Sequence, residues 1–93
     1  MKLFFCPVCQ DVRKLGNGHE ITCQCGRSGG WYKDDLYAVV TGAAIPVGFT
    51  NSSFSKALRN RPQEGVGKVF EAFVIPVECP TIERIEKTNL PDP

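Results

Sequence analysis

Cys6-Pro7-Val8-Cys9, thirteen intervening residues, and then Cys23-Gln24-Cys25-Gly26 form the stretch that decides how this chain folds. Thiolate is a soft ligand, and four thiolates in a tetrahedron are the usual closed shell of a structural zinc ion. A tight turn between Cys6 and Cys9 places both sulfurs on one side of an ion, and backbone N–H groups in such a turn are positioned to reduce their charge. The intervening residues then have to bring the second pair across. Lys2 to Phe5 reads as a strand pairing with Val12 to Leu15. Gly16-Asn17-Gly18 reads as a hairpin turn, since Asn-Gly supplies the positive φ of a tight connection, with His19 to Thr22 as the returning strand. Four of the five cysteines fall within twenty residues in paired spacings, and the total is odd. In a reducing compartment that combination indicates a metal site, and a secreted disulfide framework is the alternative.

Over roughly residues 1–33 the pattern resembles the zinc-ribbon or rubredoxin-like class, in which the ligands sit on two knuckles. The resemblance implies structural Zn2+ held by Cys6, Cys9, Cys23 and Cys25. The chain departs from that class in its second pair, which is separated by one residue and not two, so His19 stands as the alternative to Cys23. The later stretches GAAIPVGF, NSSFSKALRNRP and FEAFVIPVECP make the whole chain look like a small bacterial or phage zinc-ribbon family, a likeness that implies no activity.

A closed four-cysteine shell leaves no coordination position for water or substrate, which argues against Lewis-acid hydrolysis. Iron in place of zinc would make an electron carrier, though the chain is much longer than a carrier needs. A thiol switch, in which oxidation releases the ion, rests on nothing beyond the cysteines themselves. Cys79 stands apart between Glu78 and Pro80 and reads as an incidental thiol. With His19 as the sole histidine, a Ser–His–Asp or Cys–His enzyme has almost no acid–base inventory to draw on. The expectation is therefore no enzyme.

Beyond the knuckles, Ser28-Gly29-Gly30 reads as a loosened stretch before Trp31-Tyr32, and Asp34-Asp35 as a turn. Leu36 to Thr41 reads as a strand, while Gly42 to Phe49 is irregular or at an edge because Pro46 cannot donate to a ladder. Asn51-Ser52-Ser53 offers N-cap residues for a short helix carrying Phe54, Ala57 and Leu58 on one face and ended by Pro62. Lys68 to Ile75 is apolar at nearly every position except Glu71, the pattern of a strand buried on both faces. Cover for such a strand comes from the rest of the chain or from a second copy, so a homodimer is a possible partner state. Thr81 to Lys87 reads as a helical turn, and Asn89 to Pro93 as a frayed end.

Two surfaces are candidates for ligands. Asn51, Ser52 and Ser53 at a helix start, with Lys56, Arg59 and Arg61 further along, are the residue types that would hold a phosphate or nucleotide. Capping and a solvated basic face explain the same residues more simply. Trp31 and Tyr32 beside Arg13, Lys14 and Arg27 would suit base stacking, but no second aromatic–basic stripe accompanies them, so nucleic-acid affinity is expected to be weak at most.

Ninety-three residues make room for one domain, which buries only about 64% of its unfolded surface, so a metal adds materially to a small core. Hydrophobic residues at 42% and charged residues at 23% exclude wholesale disorder. The formal charge of +1 becomes −1 once four thiolates hold one divalent ion, and neither value favours broad nucleic-acid binding. The charge is uneven: residues 51–70 carry a net +3 and residues 71–93 a net −3. No apolar run reaches the roughly 18 residues of a membrane span, and Cys6-Pro7 interrupts the opening segment too early for a signal peptide, so a soluble cytoplasmic protein is expected. The fold expected is α+β: a zinc ribbon, residues 1–33, packed on a small, mostly antiparallel sheet with one short helix in residues 34–93, the two sharing a core. The function expected is non-enzymatic binding or adaptor work with a protein partner, with an anionic small ligand such as a nucleotide as the alternative.

Overall fold

The computed structural model describes residues 2–86 and has the α+β composition expected, with one helix and mostly antiparallel strands distributed over two sheets. The first sheet contains β1 (Lys2–Phe5), β2 (Val12–Lys14), β7 (Ile45–Phe49) and β8 (Ala72–Val74), in the order β2-β1-β7-β8. The second contains β3 (Gly16–Asn17), β4 (Ile21–Thr22), β5 (Ser28–Tyr32), β6 (Ala38–Gly42) and β9 (Ile82–Ile85). Its strands run β3-β5-β6-β9, with β4 also paired to β5. The helix α1 (Asn51–Arg59) connects β7 to β8. No helix among the described residues is long and apolar enough to cross a membrane.

The β1–β2 pairing is as expected, with Phe4 opposite Arg13. Alternation along β1 turns Phe4 inward, where it is fully buried with Cys6, Leu15, Cys23, Ala38, Val40 and Ala44. This cluster draws on the cysteine-bearing segment and on β6, so both parts of the chain pack into one core. The sheets are also tied by the Tyr32 hydroxyl, which accepts the Lys2 N–H at 2.8 Å.

Several local readings are corrected. Gly16-Asn17-Gly18 does not close a hairpin: β3 runs parallel to β5, and Ile21–Thr22 pairs antiparallel with Gly29–Gly30. Ser28-Gly29-Gly30 is a buried part of β5, not a loosened stretch, because the glycines admit neighbours where side chains would stand. A Cβ on Gly30 would lie 2.6 Å from Leu15 Cδ2 and 2.9 Å from the Val39 carbonyl oxygen. Pro46 occupies a central strand. Its carbonyl accepts the Ile75 N–H at 3.0 Å, so its missing donor falls on the β8 side just past the end of β8, where no ladder bond is lost. Thr81–Lys87 is not a helical turn; Ile82–Ile85 forms β9, parallel to β6, with the Arg84 guanidinium donating to the carbonyls of Gly42 and Ala44 at 2.8 and 2.7 Å. Lys87 and the expected frayed end lie outside the described residues.

The Lys68–Ile75 reading also changes. Only Ala72–Val74 is a strand, it lies at the edge of the first sheet, and all three of its residues are exposed. The helix start moves by one residue: Thr50 is the N-cap, without a side-chain capping bond, and Asn51, Ser52 and Ser53 form the first turn. The Ser53 hydroxyl donates to the Thr50 carbonyl at 3.1 Å and accepts the Glu71 N–H at 2.9 Å. Phe54 meets Phe49 and Phe70 in an aromatic cluster with centroids 4.7 to 5.3 Å apart, which seats the helix although none of its residues is buried.

Candidate metal centre

Two knuckles hold the four cysteines. In the first, the Gln10 N–H donates to the Cys6 carbonyl at 2.7 Å and the Cys6 N–H to the Asp11 carbonyl at 2.9 Å. In the second, the Gly26 N–H donates to the Cys23 carbonyl at 3.0 Å and the Cys23 N–H to the Ser28 carbonyl at 2.9 Å. The residue after the second cysteine takes a positive φ in each, 61° at Gln10 and 78° at Gly26. Glycine meets that demand without strain; glutamine does not. The Asp11 carboxylate joins the knuckles, accepting Arg13 Nε at 2.7 Å and the Gln24 N–H at 3.0 Å.

All four sulfurs lie within 4.8 Å of one another. Cys25 Sγ stands 3.7 Å from Cys6 Sγ and 3.5 Å from Cys23 Sγ. Tetrahedral metal–thiolate bonds of about 2.3 Å imply sulfur separations of about 3.8 Å, so the cluster fits a single metal ion. All five cysteines are free. Cys6 and Cys23 are buried, Cys9 is half-buried and Cys25 exposed. The cluster therefore forms one end of the core, with its outer sulfur toward solvent.

The surroundings favour thiolate at Cys6 and Cys23 and oppose it at Cys25. Burial opposes ionisation of Cys6, but the Ser28 hydroxyl and the N–H groups of Cys9 and Val8 outweigh it and draw the thiol down to about 6. Burial and the Cys6 sulfur oppose ionisation of Cys23, but the Ser28 N–H together with Cys25 and Cys9 brings it below the ordinary value. The Arg27 N–H favours thiolate at Cys25, yet desolvation and three adjoining sulfurs push it up to about 11. Four thiols this close do not all ionise unaided, and a divalent cation supplies the charge that a retained proton otherwise provides. The Ser28 side chain is fully buried, and its Oγ has no nitrogen or oxygen partner. A buried hydroxyl beside the Cys6 sulfur with nothing else to bond is placed to serve as an outer-shell donor were that sulfur to hold a metal.

The structure thus brings together Cys6, Cys9, Cys23 and Cys25, and it leaves His19 outside the group. That imidazole is exposed, with Nδ1 3.1 Å from the Asn17 carbonyl oxygen. Cys79 is outside as well, its sulfur 3.4 Å from the Thr81 hydroxyl. Asp11 and Ser28 were not singled out from the sequence. Asp11 follows Cys9 by two residues, and Ser28 follows Cys23 by five, intervals with no general rule attached.

The six candidate ligand residues of the helix region do not share either of two clefts beside the helix. Asn51 lines a cleft of about 430 Å³ that also contains Asp34 and Asp35, which disfavour an anion. Ser53 and Lys56 line a separate cleft of about 460 Å³ with Asn60 and Lys68. Ser52, Arg59 and Arg61 line neither. No protein-family model, curated protein or solved structure matches the chain.

Proposed function

We propose that the chain is a non-enzymatic, zinc-stabilised protein-binding module, with a zinc ribbon at its N-terminal end and its docking surface along β8. The thiolate set suits zinc, and a four-sulfur shell keeps no position for a reacting water, so the ion's work is to fasten the two knuckles. The observation that carries the binding role is the character of the β8 edge. Phe73 is 51% exposed and Val74 69%, and the flanking Val69 and Val77 are 95% and 96% exposed. Apolar side chains along an unpaired sheet edge suit an extended segment of a protein partner, which gains main-chain hydrogen bonds and apolar contact together.

Val74→Pro tests this reading. The Val74 N–H points away from β7, so proline there removes a donor to a docked strand and none to the sheet. Tagged chain purified without chelator is expected to show one zinc by native mass spectrometry and to retain a protein on the tag that Val74→Pro loses. Identical recovery and identical self-association of the two chains would overturn the docking surface, and metal-free chain would overturn the zinc. A second reading, an anionic ligand such as a nucleotide phosphate, draws on Lys56 and Lys68 facing one cleft. It requires phosphate binding that Lys56→Ala and Lys68→Ala each weaken.

A further inference from the structure

We propose that the strand docked on β8 is β8 of a second copy of this chain, antiparallel and in a register centred on Phe73. The inference rests on the reading of β8 as the docking edge and names its occupant.

The hydrogen bonds to β7 determine which backbone groups are free. The Thr50 N–H donates to the Glu71 carbonyl at 2.9 Å, and the Ile75 N–H to the Pro46 carbonyl at 3.0 Å. Residues 71 and 75 therefore turn their polar groups toward β7, and so does Phe73, opposite Gly48. Ala72 and Val74 turn theirs outward, and no strand among the described residues pairs with them there. A two-fold axis through Phe73 sets Ala72 against Val74 of the partner subunit and Val74 against Ala72 of the partner subunit. Both are hydrogen-bonded pairs, which satisfies all four outward donors and four outward acceptors of the two strands. Phe73 then meets Phe73 of the partner subunit in a non-hydrogen-bonded pair, where side chains approach most closely.

Of the other outer strands, β2 carries Arg13 and Lys14 and β9 carries Glu83 and Arg84, while the uncharged β3 and β4 are only two residues long, too short to template a partner strand. Ala72-Phe73-Val74 carries no charge at all, although charged edges are the common defence against unwanted pairing. Charge flanks the strand, with Lys68 and the adjoining Glu71 before it and Glu78 after it, and in the two-fold register Glu71 faces Ile75 of the partner subunit, not a like charge. An antiparallel two-fold pairing brings Lys68 to the end occupied by Glu78 of the partner subunit, and Val69 to the end occupied by Val77 of the partner subunit. The segment is therefore complementary to its own copy in both charge and apolar surface.

Sedimentation equilibrium of the full chain, purified without chelator, from about 1 to about 500 µM tests the pairing, since a dimer's population depends on concentration. A monomer–dimer equilibrium is expected. Lys68→Glu and Glu78→Lys should each weaken it about tenfold, and the double reversal should restore it to within about threefold, since each change makes and the pair then removes a like-charge contact. With oxidised glutathione as the oxidant, which takes up the two electrons and two protons as two molecules of reduced glutathione, Phe73→Cys should form an intermolecular disulfide between the thiols at position 73, located by peptide mass spectrometry. A dimer indifferent to both charge reversals and lacking that disulfide would overturn the register. A monomer throughout, whose tag-retained protein is still lost on Val74→Pro, would overturn the second copy and leave the docking edge standing. A monomer with no response to Val74→Pro would remove both.

Discussion

Replacing Ser28 by alanine removes one oxygen from a fully buried position on β5, and its consequence depends on whether that oxygen serves the metal. The hydroxyl has no nitrogen or oxygen partner, and it lies beside the Cys6 sulfur, which it helps to hold as thiolate. If its only purpose were packing, Ser28→Ala would be neutral or mildly stabilising, because a buried unpaired hydroxyl costs about 1–3 kcal/mol. As a donor to a metal-bound thiolate it makes a hydrogen bond to a charged group, worth about 1.5–3 kcal/mol. At about 1.4 kcal/mol per tenfold, that corresponds to a loss of zinc affinity of about 10- to 100-fold, the range seen when outer-shell partners of metal ligands are removed. Competition against a chromophoric chelator at neutral pH measures the change directly. Ser55→Ala, at an exposed position on α1, is the control and should leave affinity unchanged. Zinc affinity of Ser28→Ala within about twofold of the parent would refute the outer-shell role, since even the weakest such bond exceeds that margin.

Cys23→Ser should abolish stoichiometric zinc binding while His19→Ala keeps one zinc per chain, as read by native mass spectrometry; the reverse result would move the site. Gln10→Gly should stabilise the chain by about 0.5–1 kcal/mol in thermal melts, because relief of about 1–2 kcal/mol at positive φ exceeds the added flexibility of glycine in the unfolded chain. Gly30→Ala should destabilise by about 2 kcal/mol, or roughly 10 °C in a domain of this size, since its methyl would press on Leu15 and the Val39 carbonyl. For pH, the Cys6 thiol sits near 6 in the folded chain against an ordinary 9.0. Its ionisation therefore favours the folded, metal-free state above pH 9, and that contribution fades as pH falls toward 6. Stability of the chelated chain should decline over that window, and a flat profile by denaturant titration would contradict the assigned shift.

The two halves of the chain differ in how far residues alone reveal their structure, and the reason is the range over which the deciding interactions act. Cys6, Cys9, Cys23 and Cys25 are legible because metal chemistry demands particular atoms at short spacing, and the knuckle glycine at 26 follows from the same local turn. Strand neighbours are another matter. Ser28-Gly29-Gly30 looks like a flexible stretch until Leu15 and Thr41 are known to press against it, and only then do the glycines become sites of close approach. Pro46 looks excluded from a central strand until the register shows that its missing N–H would have pointed past the end of β8. Residues 68–75 fail for a different reason. A run of apolar side chains states that the segment prefers cover, and nothing in the run says which chain provides it. The run leaves cover in cis and cover by a second copy equally open, and in the structure Ala72–Val74 is exposed on its own chain. What the structure adds is a strand with uncharged side chains and outward N–H and C=O groups at Ala72 and Val74, flanked by Lys68 and Glu71 on one side and Glu78 on the other. The same pattern that suggested an interior strand is therefore what an interface strand requires, and the choice between them lies in the assembly, beyond the single chain.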